Sequence, residues 1–189
     1  MTCYRGHLEA TLVLIKAGAF LESRDYYGWT ALTHTSFKGH HGIASTLIQA
    51  GSSLESRDKR GRAPLMHVLA KGHYEVASVL IKAGASTESR SRGGWTPLIS
   101  LTHASREGHL KAALLLIKAG SSLELRDGEG LSPLMHAASQ GQHDVTSVLI
   151  KAGPSLESRD NRGRSPLMYA SREGHHELAT VLLKAGSSL

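Results

Sequence analysis

Histidine is the residue type in this chain whose numbers invite chemistry: twelve imidazoles among 189 residues. Imidazole is the commonest metal ligand and a frequent general base. Spacing argues against both uses. Nine of the twelve fall into two columns, His7, His40, His73, His109 and His175 after glycine, and His34, His67, His103 and His136 further upstream in each unit. Members of one column belong to successive packed elements and stand about 10 Å apart. Zinc needs its ligands about 2 Å from one point, and a lone cysteine, Cys3, adds nothing to a cluster. The adjacent pairs His40-His41 and His175-His176 diverge on any regular element. Capping and interhelical packing therefore account for the histidines. Serine, histidine and aspartate are also plentiful, but each sits in a recurring frame, so a catalytic triad would have to occur several times over. No Gly-x-Ser-x-Gly elbow or phosphate loop is present. The reading has no catalytic residue, no metal and no cofactor.

The frame that places these residues is a period. Gly18, Gly51, Gly84, Gly120, Gly153 and Gly186 recur at intervals of 33, 33, 36, 33 and 33 residues, five of them preceded by Lys-Ala and Gly51 by Gln-Ala. Such a period marks a stacked solenoid in which no unit buries its apolar face alone. Residues 121–153 show one unit. Ser132-Pro133 starts a short helix, with a hydroxyl at the cap and proline at the first helical position. Gly141 stops it. A second helix runs from about His143 to Lys151, carrying Val145, Val148, Leu149 and Ile150 as an apolar stripe. The polar stretch that follows, Ser158 to Gly163, holds Asp160 and Gly163 three apart, which suits a tight projecting turn.

Helix, turn, helix, glycine and finger resemble the ankyrin repeat. The carrying residues are Asp25, Gly28, Thr30, Leu32 and Gly39-His40 in one unit, then Asp58, Gly61, Pro64-Leu65 and Gly72-His73 in the next. Gly94, Thr96-Pro97-Leu98 and Gly108-His109 follow, then Asp127, Gly130, Ser132-Pro133-Leu134 and Gly141, then Asp160, Gly163, Ser165-Pro166-Leu167 and Gly174-His175. The resemblance implies an all-α solenoid of stacked helix-turn-helix units with projecting β-hairpin or turn fingers. It divides the chain into a truncated unit 1–18, repeats 19–51, 52–84, 85–120 (with a three-residue insertion), 121–153 and 154–189.

Departures from the family pattern are specific. Histidine usually follows Pro-Leu directly and bonds the helix-start hydroxyl. Here Thr33, Met66, Met135 and Met168 stand there, and histidine, or Tyr169, comes one residue later. Methionine packing is expected to replace the missing bond. Ser91 replaces the finger aspartate, which predicts a looser turn at Ser91–Gly94. Removing Ile99-Ser100-Leu101 aligns Thr102-His103 with Thr33-His34, which predicts a first helix one turn longer and a displaced Trp95 finger; a bulge at Ile99–Leu101 is the alternative. Glu22, Glu55, Glu88, Glu124 and Glu157, each with arginine two residues on, read as a ladder of exposed charge pairs, each contributing about 0–1 kcal/mol. Neither end carries a polar cap, so the chain reads as part of a longer array, or as one whose ends are covered from outside.

In the family, fingertips and the exposed side of the first helix line a concave recognition face. Framework columns barely change between units, whereas the columns on this face change at nearly every step. They hold Tyr26, Tyr27, Trp29 and Phe37 as an aromatic patch. Lys59, Arg60 and Arg62 form a basic one, and Arg92, Trp95, Leu131, Arg162 and Arg164 continue the face. Aromatic residues and arginine are the usual interface anchors. The resemblance implies a non-catalytic module or scaffold binding another protein through these residues, one with acidic and apolar features given the net charge of +6. A targeting segment of a larger enzyme or channel is the alternative. Nucleic acid is a weaker one, because Glu129 and Leu131 interrupt the basic fingertips. The single thiol and the lack of a membrane span or signal pattern predict an intracellular chain, cytoplasmic or nuclear.

Overall fold

A computed structural model describes residues 7–102 and 109–188. Among these residues there are eleven helices and no strand. The first helices of the units are α2 (Ala31–Lys38), α4 (Pro64–Lys71), α6 (Pro97–Thr102), α8 (Pro133–Ser139) and α10 (Pro166–Arg172). The second helices are α1 (Leu8–Lys16), α3 (His41–Gln49), α5 (Tyr74–Lys82), α7 (His109–Lys118), α9 (His143–Ala152) and α11 (His176–Lys184). First helices pack on first helices and second on second, giving two layers that run the length of the stack.

Three first helices begin where the sequence places a hydroxyl before proline; α2 has Thr30 before Ala31, and α4 has Ala63, which gives no side-chain cap, before Pro64. The side chains of Ser132 and Ser165 accept the N–H of Met135 and Met168, and Thr96 does the same for Ile99. A short helix supplies few backbone bonds of its own, so burial has to hold it. Pro64 to Leu69 and Pro133 to Ala138 are buried throughout, and Ala137 and Ala138 let the neighbouring helices approach. Leu47, Leu80, Leu116, Leu149 and Leu182, one from each complete second helix, close the core from the other layer.

The glycine-histidine column stitches units together. His73, His109 and His175 meet the backbone carbonyls of Phe37, Leu69 and Ser139 in the preceding repeat at 3.0–3.2 Å. Gln142 replaces histidine in the fourth repeat, donating to the carbonyl of Thr102 at 2.8 Å.

The expected ladder of Glu–Arg charge pairs is corrected. Glu55, Glu88, Glu124 and Glu157 each accept a backbone N–H from the following unit, at Ser86, Ser122, Ser155 and Ser188, over 2.7–2.8 Å. Arg24, Arg57, Arg90 and Arg126 each donate to a backbone carbonyl one unit on, at Arg57, Arg90, Arg126 and Arg159. Charged side chains and peptide groups, not opposite charges, are the partners. Such bonds join repeats, which an intra-finger pair would not.

The insertion also falls elsewhere than expected. Thr96 caps Ile99, so Ile99 occupies the place of Met66 and Met135, and Ser100 the place of His67 and His136. Ile99, Ser100 and Leu101 are helical and buried, with no bulge. From His109 onward the frame matches His73, so the three surplus residues lie between Thr102 and His109. The expected extra helical turn and His103 lie outside the described residues. The Trp95 finger is not displaced, since its backbone keeps the neighbour bonds Arg92 N–H to Arg60 and Gly128 N–H to Gly93, both 2.9 Å.

Candidate functional site: the fingertip face

Four of the five fingers are built around an aspartate. Asp58 Oδ1 accepts the backbone N–H groups of Arg60 and Arg62 at 2.8 and 2.9 Å. Its Oδ2 accepts Arg62 Nε at 2.9 Å and His67 Nε2 at 3.1 Å. The same bond nine residues on recurs as Asp25–His34 and Asp127–His136 at 3.0 and 2.8 Å, and Tyr169 donates its hydroxyl to Asp160 at 2.8 Å. The stabilising bond that the shifted histidine seemed to forfeit is therefore kept, redirected from the helix-start hydroxyl to the finger. Met66 and Met135 pack in the core as expected, whereas Met168 is 42% exposed.

Burial sets the electrostatics of this junction. His67 is pushed down to about 4, first by loss of solvation and then by the neighbouring Arg62 charge, against the pull of Asp58. Burial would raise Asp58 and Asp160, but donation from Arg62 and Arg164, backbone and side chain, outweighs it; Asp160 falls to about 2. Burial and then the Asp160 bond raise Tyr169 to about 12. These are the shifts of a structural clasp between a finger and its own first helix.

The fingers are also joined to each other. Backbone N–H groups of Lys59, Arg92, Gly128 and Asn161 donate to the carbonyls of Tyr27, Arg60, Gly93 and Glu129 on the preceding finger, at 2.9–3.1 Å. Four such bonds make the five fingertips one continuous strip.

On this strip the aromatic residues come together. Tyr26 and Tyr27 are 79% and 64% exposed and meet edge to face at 5.4 Å. Trp29 lies 5.0 Å from Phe37 and 6.4 Å from Tyr27, centroid to centroid. Lys59 Nζ sits 3.9 Å above the Tyr26 ring, and Lys71 Nζ 4.4 Å above Phe37. Arg60, Arg92 and Arg162 are exposed at the tips. Three of the sequence candidates serve the framework as well. Arg62 and Arg164 bridge to Asp58 and Asp160 at 2.8 and 2.7 Å, and Leu131, 8% exposed, belongs to the hydrophobic core. Trp29 and Trp95 are half-buried against the histidines of the next unit.

One contributor escaped the sequence reading, which treated Ser91 only as a looser turn. The turn closes normally, with Ser91 N–H bonded to the Trp95 carbonyl at 2.9 Å and Ser91 Oγ accepting the Trp95 N–H at 3.1 Å. What changes is charge. The aspartate place and the histidine place, nine residues apart, hold Ser91 and Ser100 together in this one repeat, and that joint loss was the available signal.

Fold and face together define a helical repeat array that presents an irregular strip of turns on a regular scaffold. The profile for ankyrin repeats in three copies matches residues 50–127 and 101–189, and that for ankyrin repeats in many copies matches residues 1–48. The chain belongs to the ankyrin-repeat family. No curated protein matches it. Ankyrin repeats generally serve as protein–protein interaction modules. No helix among the described residues is long and apolar enough to cross a membrane.

Proposed function

We propose that this chain is a non-catalytic scaffold that binds a partner protein through its fingertip strip and the adjoining first-helix surface. The observation that carries the reading is the exposed aromatic and cationic set at Tyr26, Tyr27, Lys59, Arg60 and Arg92, presented on fingers already bonded into one strip. Exposed aromatic residues beside arginine have the composition of binding hot spots, and large apolar groups held in water mark interaction sites. The titratable groups with shifted ionisation are tied into finger clasps or repeat joints, a structural use that suits a scaffold. The partner would present apolar and acidic groups, and the single cysteine suits a reducing compartment such as the cytoplasm.

The test compares the chain with a Tyr26→Ala, Tyr27→Ala, Arg60→Ala, Arg92→Ala variant in pull-downs from lysate, with mass spectrometry of the captured proteins. All four side chains are exposed, so both chains should melt within a few degrees of each other. Proteins held by the first and lost by the second support the reading. An identical set from both would remove the fingertip strip as the binding face.

A further inference from the structure

Between the second and third fingers lies a cleft of about 430 Å³ whose wall is unusual in charge. Lys59, Arg60 and Arg62 line it from one finger, and Ser91, Arg92 and Trp95 from the next. Among the described residues no carboxylate lines it. Arg62 is engaged by buried Asp58, and the Lys59 ammonium sits over the Tyr26 ring, which leaves Arg60 and Arg92 lining the cleft with no acid bridged to either among the described residues. Four fingers carry aspartate at the place of Ser91, so this is the one point in the array where the local countercharge is deleted. The two guanidinium-bearing residues start from backbones bonded to each other, Arg92 N–H to the Arg60 carbonyl at 2.9 Å. Like charges so held repel, and a bound anion would relieve that repulsion. Ser91 Oγ accepts the Trp95 N–H and keeps its own proton to donate. The half-buried Trp95 adds an apolar wall beside the cations.

We propose that this cleft takes an anionic side chain of a partner protein segment, a carboxylate pair or a phosphorylated residue, with an adjoining apolar residue resting on Trp95. Arginine pairs recognise both anions through charge-assisted hydrogen bonds. The inference deepens the fingertip reading and rests on it, assigning the part of the strip that selects by charge.

The experiment titrates the ¹⁵N-labelled chain with three acetylated peptides, Gly-Phe-Glu-Glu-Gly, the same with phosphoserine in place of the first Glu, and Gly-Phe-Gln-Gln-Gly. A short thymidine oligomer is the fourth probe. Saturable shifts of the Trp95 indole and Gly93 amide with either anionic peptide, and none with the neutral one, support the proposal; which anionic peptide binds tighter identifies the source of the charge. Ser91→Asp restores the acid of the other fingers. It should melt no lower than the parent yet bind the anionic peptide about ten-fold more weakly. Arg60→Ala with Arg92→Ala should weaken binding at least as much. No saturable shift from any peptide, undiminished binding by Ser91→Asp, or shifts with the oligomer alone would overturn it. A captured protein partner that Ser91→Asp still binds, but the four-residue fingertip variant loses, would leave the fingertip reading standing and this cleft without a role.

Discussion

Trp29 of one repeat lies against His67 of the next, ring centroids 4.8 Å apart and steeply tilted, and Trp95 stands in the same relation to His136 at 5.9 Å. Each indole thus shields the imidazole–aspartate clasp of its neighbour. The tryptophans are interface candidates that also carry packing, so a binding loss on their removal would be ambiguous. Trp29→Ala should lower unfolding free energy by about 1–3 kcal/mol in urea titrations, against well under 1 kcal/mol for Tyr26→Ala. Equal effects would mean that the indole is a passive surface group.

Two aspartates in the same column should differ sharply. The Asp58 side chain is 2% exposed and serves Arg60, Arg62 and His67, whereas that of Asp25 is 33% exposed. Asp58→Ala strands buried donors and leaves Arg62 without its partner, for a loss of about 3–5 kcal/mol. Asp25→Ala should cost about 1 kcal/mol. Chemical denaturation of both variants checks the ordering.

Acid should loosen the second repeat before the carboxylates titrate. His67 is held neutral down to about 4 in the folded chain, while the unfolded chain takes up a proton in the usual range near 6.5. The unfolded state binds more protons between those values, so stability is full above pH 6.5 and falls toward pH 4. The loss is about 3 kcal/mol by pH 4 for a shift of that size. His67→Gln, which cannot titrate, should be less stable at pH 7, and its deficit should shrink as the pH is lowered. A constant deficit across that window would show that His67 is not held neutral.

Gly61 and Gly163 have nearly the same backbone, φ +77° and +75°, but different company. A Cβ on Gly61 would meet Arg92 N at 2.9 Å, whereas one on Gly163 would meet nothing within 4 Å. Alanine at either place bears the cost of a left-handed conformation, about 1 kcal/mol. Only Gly61→Ala should also spread two fingers and weaken protection of the Arg92 amide in hydrogen exchange. Equal protection in both variants would contradict the close approach.

Tyr169→Phe removes one donor from Asp160 and should cost about 1 kcal/mol. Tyr169→His places the ring found in three other repeats and should restore most of that loss, read as melting temperature.

The period, three of the helix starts and the turns of four fingers were legible because each rests on local chemistry: glycine, a hydroxyl before proline, an aspartate three residues before glycine. The insertion was misplaced because letters and packing disagreed. Thr102-His103 matches Thr33-His34 by residue type, but the Thr96 hydroxyl fixes Ile99 in the methionine place, and the core follows the cap. The Glu–Arg ladder was read as charge pairs because the true partners are peptide groups one unit away, which carry no residue-type signal. On the face, Tyr26, Tyr27, Arg60 and Arg92 stand exposed, while the double duty of Arg62, Arg164 and Leu131 depends on three-dimensional neighbours.

The amide bonds that run from fingertip to fingertip have a kinetic consequence. A loop that must be ordered by its ligand slows capture and spends interaction energy on its own immobilisation. On the proposed binding role, fingers tied at Tyr27–Lys59, Arg60–Arg92, Gly93–Gly128 and Glu129–Asn161 would form a receptor assembled before the encounter. Association should then proceed in one phase at a rate governed by diffusion and ionic strength, and variants of this face should differ mainly in how long the complex survives.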